Sequence, residues 1–116
     1  MNPPDADELQ RWLAAEIARL EARLQGQGPV CQLDRQNATP PSLKADEGRY
    51  AVLRRAARLG LRADAVPALQ AEAAKAQAFL ASDSGLGRDP VWRAYHAAVL
   101  AAVEELLRRW PASPPA

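Results

Sequence analysis

Leu9, Leu13, Ile17, Leu20 and Leu24 recur at intervals of three and four residues, the spacing that sets side chains on one face of an α-helix. The pattern returns twice. Val66, Leu69, Ala73, Ala76 and Leu80 form a second stripe, and Trp92, Tyr95, Val99, Val103, Leu106 and Trp110 form a third. Each stripe has to be buried against another element, and 116 residues are enough for one core. The expected fold is therefore all-α, a compact four-helix domain with a long connection between its first and second helices.

Capping residues mark the helix ends. The first helix is expected from about Asp7 to Leu24, with Asp5 or Asp7 as N-cap and Gly26 beyond its end. The second is expected to start near Ser42 or Asp46 and to stop at Gly60, a residue suited to the left-handed position after a helix. Asp64 is expected to cap the third, which carries Pro67 in its first turn and ends before Ser82. The fourth has the clearest start, Asp89 as N-cap and Pro90 behind it, and runs to Arg109 or Trp110 before Pro111. Residues 1–110 read as one helical domain and 111–116, rich in Pro, Ser and Ala, as a disordered tail. The connection from Gln25 to Pro41 is long for a helical bundle, a length associated with function or with a segment packed across the helices.

Charge is balanced over the whole chain, with a net +1, so nothing draws it generally toward nucleic acid or anionic lipid. One segment departs from that balance. Residues 42–62 carry six basic and two acidic groups, and five arginines lie between Glu47 and Arg62. The overall excess of arginine over lysine, thirteen to two, together with 26 alanines, is what GC-rich coding produces and gives a bacterial-like composition. Cys31 is the only cysteine, which excludes an intramolecular disulfide and a cysteine-based metal cluster. The start Met-Asn-Pro-Pro-Asp-Ala-Asp-Glu lacks the basic and apolar regions of a signal peptide, and no stretch approaches the roughly 20 apolar residues of a membrane span. A cytoplasmic location with no membrane contact is expected.

Reactive constellations are missing from the pattern. A nucleophile needs a base in reach and a group to orient it, yet His96 is the single histidine and projects onto the apolar face beside Trp92, Val99 and Val103. There are no paired histidines or cysteines at metal-ligand spacing, and Glu104 and Glu105 face different directions. Gly85-Leu86-Gly87 has neither a preceding strand nor a following phosphate-loop lysine. The expectation is no enzyme, no cofactor and no metal.

Binding surfaces are more legible. Arg54, Arg55 and Arg58 fall on the outward side of the second helix, opposite Val52, Leu53, Ala56, Ala57 and Leu59. Most such charge runs are solvated faces, but a ridge of this kind also suits phosphates or an acidic protein surface through bidentate pairs. Around Gly60 the chain has the outline of a helix-turn-helix, with Ala56, Leu59, Leu61, Val66 and Leu69 at the right places. Arg55 stands where that motif wants an apolar residue. Its second helix would offer only Arg62 to a phosphate, and Asp64 carries the wrong sign.

Arg49 points inward near Leu53 and Ala56. It either snorkels out at the helix start or enters a buried polar cluster with a carboxylate such as Asp46 or Asp34, close to Tyr95 and His96. Trp12 and Phe79 lie off the apolar stripes among charges, either covered by a loop or terminus, the long connection in the case of Trp12, or exposed as contact anchors. Ala14, Ala15, Ala18 and Ala22 on the first helix, and Ala71, Ala74, Ala78 and Ala81 on the third, form small-residue faces. Alanine on an exposed face needs no explanation beyond helix propensity, but with two off-stripe aromatics these faces favour a homodimer. The expected function is a non-enzymatic helical interaction or adaptor module that self-associates and docks a protein partner through Trp12, Phe79, Arg54, Arg55 and Arg58. The alternative is a nucleic-acid-associated accessory protein using the same arginine ridge and Arg62. A third reading is a small-ligand pocket lined by Arg49, Tyr95 and His96.

Overall fold

Each helix follows from its local sequence. A computed structural model describes residues 6–26, 40–82 and 85–111 of the chain. Within them α1 spans Ala6–Gly26, α2 Pro41–Leu59, α3 Ala65–Ala81 and α4 Pro90–Arg109, with a short 3-10 turn at Gly85–Arg88 before α4. Asp5, the long connection from residue 27 to 39 with Cys31 and Asp34, and the tail from 112 lie outside the described residues.

The clearest start signal is realised fully. Asp89 has an extended backbone and its carboxylate accepts from the Val91 amide at 2.8 Å, while Pro90 opens the helix where no N–H is needed. The end of α2 is also as expected. Gly60 sits at φ 80°, and its amide reaches the carbonyls of Ala56 and Ala57. Leu61 follows in the left-handed region too, at φ 56°, so two consecutive residues reverse the chain between α2 and α3.

Two starts differ from expectation. Helix α2 begins at Pro41 rather than at Ser42 or Asp46, because Pro40 in extended conformation presents its carbonyl to the amides of Leu43 and Lys44. Asp64 does not cap α3. Its backbone is already helical and its side chain accepts no capping bond, so the first amides are met by the carbonyls of Arg62 and Ala63 instead.

The three apolar stripes converge. Leu9, Leu13, Ile17 and Leu20 of α1, Val52, Leu53 and Ala56 of α2, Leu69 and Ala76 of α3, and Val99, Ala102, Val103 and Leu106 of α4 make one buried cluster. The protein is an all-α, compact four-helix domain. At about 25 cal/mol per Å² of buried apolar surface, side chains such as Leu20, Leu53, Leu69 and Leu106 each contribute roughly 2 kcal/mol. Ala57, expected on the inward face of α2, is exposed.

The helices are stacked in an order that matters for the site. α2 and α4 form the most intimate pair, α1 packs on α2, and α3 packs on α4. α2 and α3, although joined by a short turn, touch little. Closeness of α2 and α4 depends on Gly48, which is buried against the Tyr95 backbone: a Cβ there would collide with the Tyr95 carbonyl oxygen. Near the same end of α2, Lys44 is buried, with its ammonium 3.2 Å from Glu47 and 4.3 Å above the Trp92 ring.

Candidate functional site

Because α2 and α3 both lean on α4 but hardly on each other, a cleft of about 300 Å³ remains between them. Ala51, Val52, Ala76 and Val99 give it apolar walls. Arg55 and Arg58 enter from α2, Glu72 and Lys75 from α3, and Tyr95 and His96 rise from α4. Spacing explains the convergence. Arg55 and Arg58 are three apart on α2, as are Glu72 and Lys75 on α3, so each pair shares one helical face.

The charges in the cleft do not cancel. Arg55 Nη1 lies 3.2 Å from Glu72 Oε1, spanning the gap between helices, with its side chain about 43% exposed. Its Nε is buried and has no acceptor among the described residues. Arg58 and Lys75 are exposed and have no ion-pair partner among the described residues. Among the described residues three cations face one carboxylate, an excess of two positive charges in a space large enough for a side chain or a small anion.

An aromatic stack forms one side. The His96 ring lies 4.0 Å from Phe79 at 23°, a stacked contact, and 5.1 Å from Tyr95 edge-on. Trp92 meets Tyr95 at 5.6 Å, also edge-on. Burial lowers the His96 pKa below its ordinary 6.5, because the imidazolium loses hydration there. Burial also raises that of Tyr95, and the nearby carboxylates of Glu47 and Glu72 push it the same way. Both groups are consequently neutral at pH 7, leaving the cleft charge to Arg55, Arg58, Lys75 and Glu72.

The expected grouping of Arg49 with Tyr95 and His96 is replaced by another. Arg49 does lie inward, but it donates to Glu105 of α4 at 2.9 Å and to Glu16 of α1 at 3.1 Å. Asp46, one of the carboxylates anticipated for it, pairs with Arg23 instead at 2.9 Å. Glu16 is shared with Arg19, and Glu105 with Arg109. The reason for the difference is the helix order: α1 and α4 flank that face of α2, and each supplies one carboxylate. Arg49 does not line the cleft.

The remaining sequence candidates fall in separate places. Trp12 is half-buried, with the Arg109 guanidinium 4.3 Å and that of Arg49 5.7 Å from its ring centre. Its cover thus comes from cations of α2 and α4. Phe79 is likewise half-buried, against His96. Arg54 is exposed on α2 outside the cleft, and Arg62 in the turn is 72% exposed beside Asp64. The ridge therefore divides: Arg55 and Arg58 face the cleft, while Arg54 faces solvent. Sequence reasoning missed Lys75, Glu72 and Lys44. The first two were detectable, since Glu72, Lys75 and Phe79 share one face of α3 by spacing alone.

Among the described residues no group of three metal-ligating side chains comes together, and no helix is long and apolar enough to cross a membrane. Comparison with protein-family models, with curated proteins and with solved structures found no match to this chain.

Proposed function

We propose that the protein is a non-enzymatic docking module whose α2–α3–α4 cleft receives an acidic segment of a protein partner. The observation that carries this reading is the set of Arg55, Arg58 and Lys75 around an apolar-walled cleft in which Glu72 is the one opposing carboxylate among the described residues. Arginine suits the task because its planar fork meets carboxylates with two parallel bonds. Arg54, exposed on α2 outside the cleft, adds to the field that steers an anion inward. Arg58 and Lys75 have no ion-pair partner among the described residues, so a ligand would not have to displace one.

The test is binding of a fluorescent acidic peptide, followed by anisotropy over a salt series. Binding is expected at low salt and should weaken as salt rises. Arg58→Ala and Lys75→Ala should each cost about fivefold in affinity, on the order of 1 kcal/mol. Absence of binding at low salt, or binding indifferent to both substitutions, refutes the proposal. If duplex DNA binds more tightly than the peptide, and Arg54, Arg55 and Arg58 carry that binding, the nucleic-acid reading replaces it.

Self-association is a second reading, supported by the exposure of Ala14, Ala15, Ala18 and Ala22 on α1 and of Ala71, Ala74, Ala78 and Ala81 on α3. Small side chains there permit close approach of a helix from a second copy. Light scattering over a hundredfold concentration range decides it, a strict monomer throughout being the contrary result.

A further inference from the structure

We infer that the residue docking in this cleft is phosphorylated: the site is built for a phosphomonoester carried on the partner's acidic segment. The inference rests on the docking reading above and adds the chemistry of the anchoring group.

Charge comes first. Arg55, Arg58 and Lys75 against Glu72 leave two positive charges in the cleft, with His96 and Tyr95 neutral. A carboxylate side chain brings one negative charge. A phosphomonoester brings about 1.5 to 2 at pH 7, together with three strong acceptor oxygens. The dianion therefore compensates what a single carboxylate leaves half-met.

Donors come second. Arg55 is held across the gap by Glu72 through Nη1, which fixes the guanidinium before any ligand arrives. Its Nε is buried out of a ligand's reach, but the side chain as a whole is about 43% exposed and lines the cleft, so a positioned guanidinium still faces a ligand. Arg58 and Lys75 supply donors from the two facing helices, with no ion-pair partner among the described residues to surrender. Three donor groups on two elements match the three terminal oxygens of a phosphomonoester better than the two of a carboxylate.

Shape comes third. The apolar walls of Val52, Ala76 and Val99, beside the Tyr95 and His96 rings, accept the carbon stem of a side chain as well as its charged head. A volume of about 300 Å³ is enough to hold a phosphorylated side chain. Glu72 opposes the anion, but Arg55 already offsets its charge, so the excess of two comes from Arg58 and Lys75.

The experiment compares four probes by isothermal titration calorimetry on the full chain. They are a heptapeptide with acidic ends and a central phosphoserine between two leucines, the same peptide with serine, the same with glutamate, and inorganic phosphate alone. The phosphopeptide is expected to bind at least about tenfold more tightly than either of its analogues, one extra charge-assisted contact's worth of affinity. That ratio should collapse in Arg58→Ala and Lys75→Ala but survive in Arg54→Ala, which weakens all three peptides alike. Equal binding of the glutamate and phosphoserine peptides overturns the phosphate inference and leaves the docking reading standing. Inorganic phosphate binding as tightly as the phosphopeptide overturns it too, marking a free-anion site. Binding of no peptide at all overturns both readings.

Discussion

The backbone carbonyl of Tyr95 occupies the space that a Cβ on Gly48 would need. This one absent methyl group lets α2 and α4, the central pair of the fold, come together above the aromatic stack. Alanine is the better helix former by about 1 kcal/mol, and on an exposed face Gly48→Ala would stabilise. Here the collision is with backbone, which cannot rotate away. The substitution is expected to destabilise by about 2 kcal/mol as an overpacking change, measured by urea denaturation. A midpoint equal to or above that of the parent protein would contradict the close approach.

Arg49 ties three helices through two carboxylates, Glu16 on α1 and Glu105 on α4, all three side chains being about four-fifths buried. Arg49→Met keeps the stem but takes one of two cationic partners from each part-buried carboxylate, leaving Arg19 on Glu16 and Arg109 on Glu105, at an expected cost of about 2 kcal/mol. Arg49→Lys retains the charge without the fork and should cost about 1 kcal/mol. A double-mutant cycle with Glu105→Gln should show positive coupling, and additivity would mean that the two groups do not interact.

Acid should loosen the same network. The Glu16 pKa is held below its ordinary 4.5, first by hydrogen bonding from Arg19 and then by that from Arg49. A depressed carboxylate pKa in the folded state contributes stability in full above the unfolded value, and that contribution is lost as pH falls through the folded one. Thermal midpoints should therefore drop below about pH 4.5, and Glu16→Gln should flatten part of that drop while lowering stability at pH 7.

His96 acts in the same direction but at higher pH. Its folded pKa lies below 6.5, so on acidification the unfolded chain takes up this proton first. Stability should consequently fall as pH decreases below about 6.5, until the folded group protonates as well. NMR titration of the ring should give a midpoint under 6.5, and the phosphopeptide should raise it by placing an anion near the imidazole. A midpoint at or above 6.5 in the free protein would show the ring to be solvated rather than stacked on Phe79.

Asp89 supplies a simpler check. Removing its carboxylate in Asp89→Ala takes the acceptor from the Val91 amide and should cost about 1 kcal/mol. Asp89→Asn or Asp89→Ser should restore most of it.

Much of this fold was written in local sequence. The spacing of Leu9, Leu13, Ile17 and Leu20 identified a buried stripe, and Asp89-Pro90 and Gly60 marked helix ends, because each effect acts within a turn or two of chain. What sequence did not reveal depends on which helix lies beside which. The inward direction of Arg49 was readable from the helical wheel, but its partners, 33 and 56 residues away, follow only from the packing order. The cleft was hidden for the same reason. Arg55 and Arg58 were visible as a ridge, yet nothing local says that Glu72 and Lys75 face them across a gap. Gly48 carried no helix-breaking signature, since its role is to admit a neighbour. Asp64 shows the opposite error, a residue of the right type for a cap whose backbone had already turned helical.

The order in which the helices are stacked also fixes how the molecule comes apart. α1 and α3 sit at opposite ends of the stack, each resting on a different member of the α2–α4 pair. Either outer helix can detach without first separating the inner two. Hydrogen exchange should accordingly be hierarchical, with amides of α2 and α4 opening only with the whole protein and those of α1 and α3 opening earlier. Opening of α3 carries Lys75 and Glu72 away from Arg55 and Arg58. A ligand held across that gap would slow exchange in α3 selectively while leaving α1 unchanged, which makes one outer helix a reporter of occupancy and the other its internal reference.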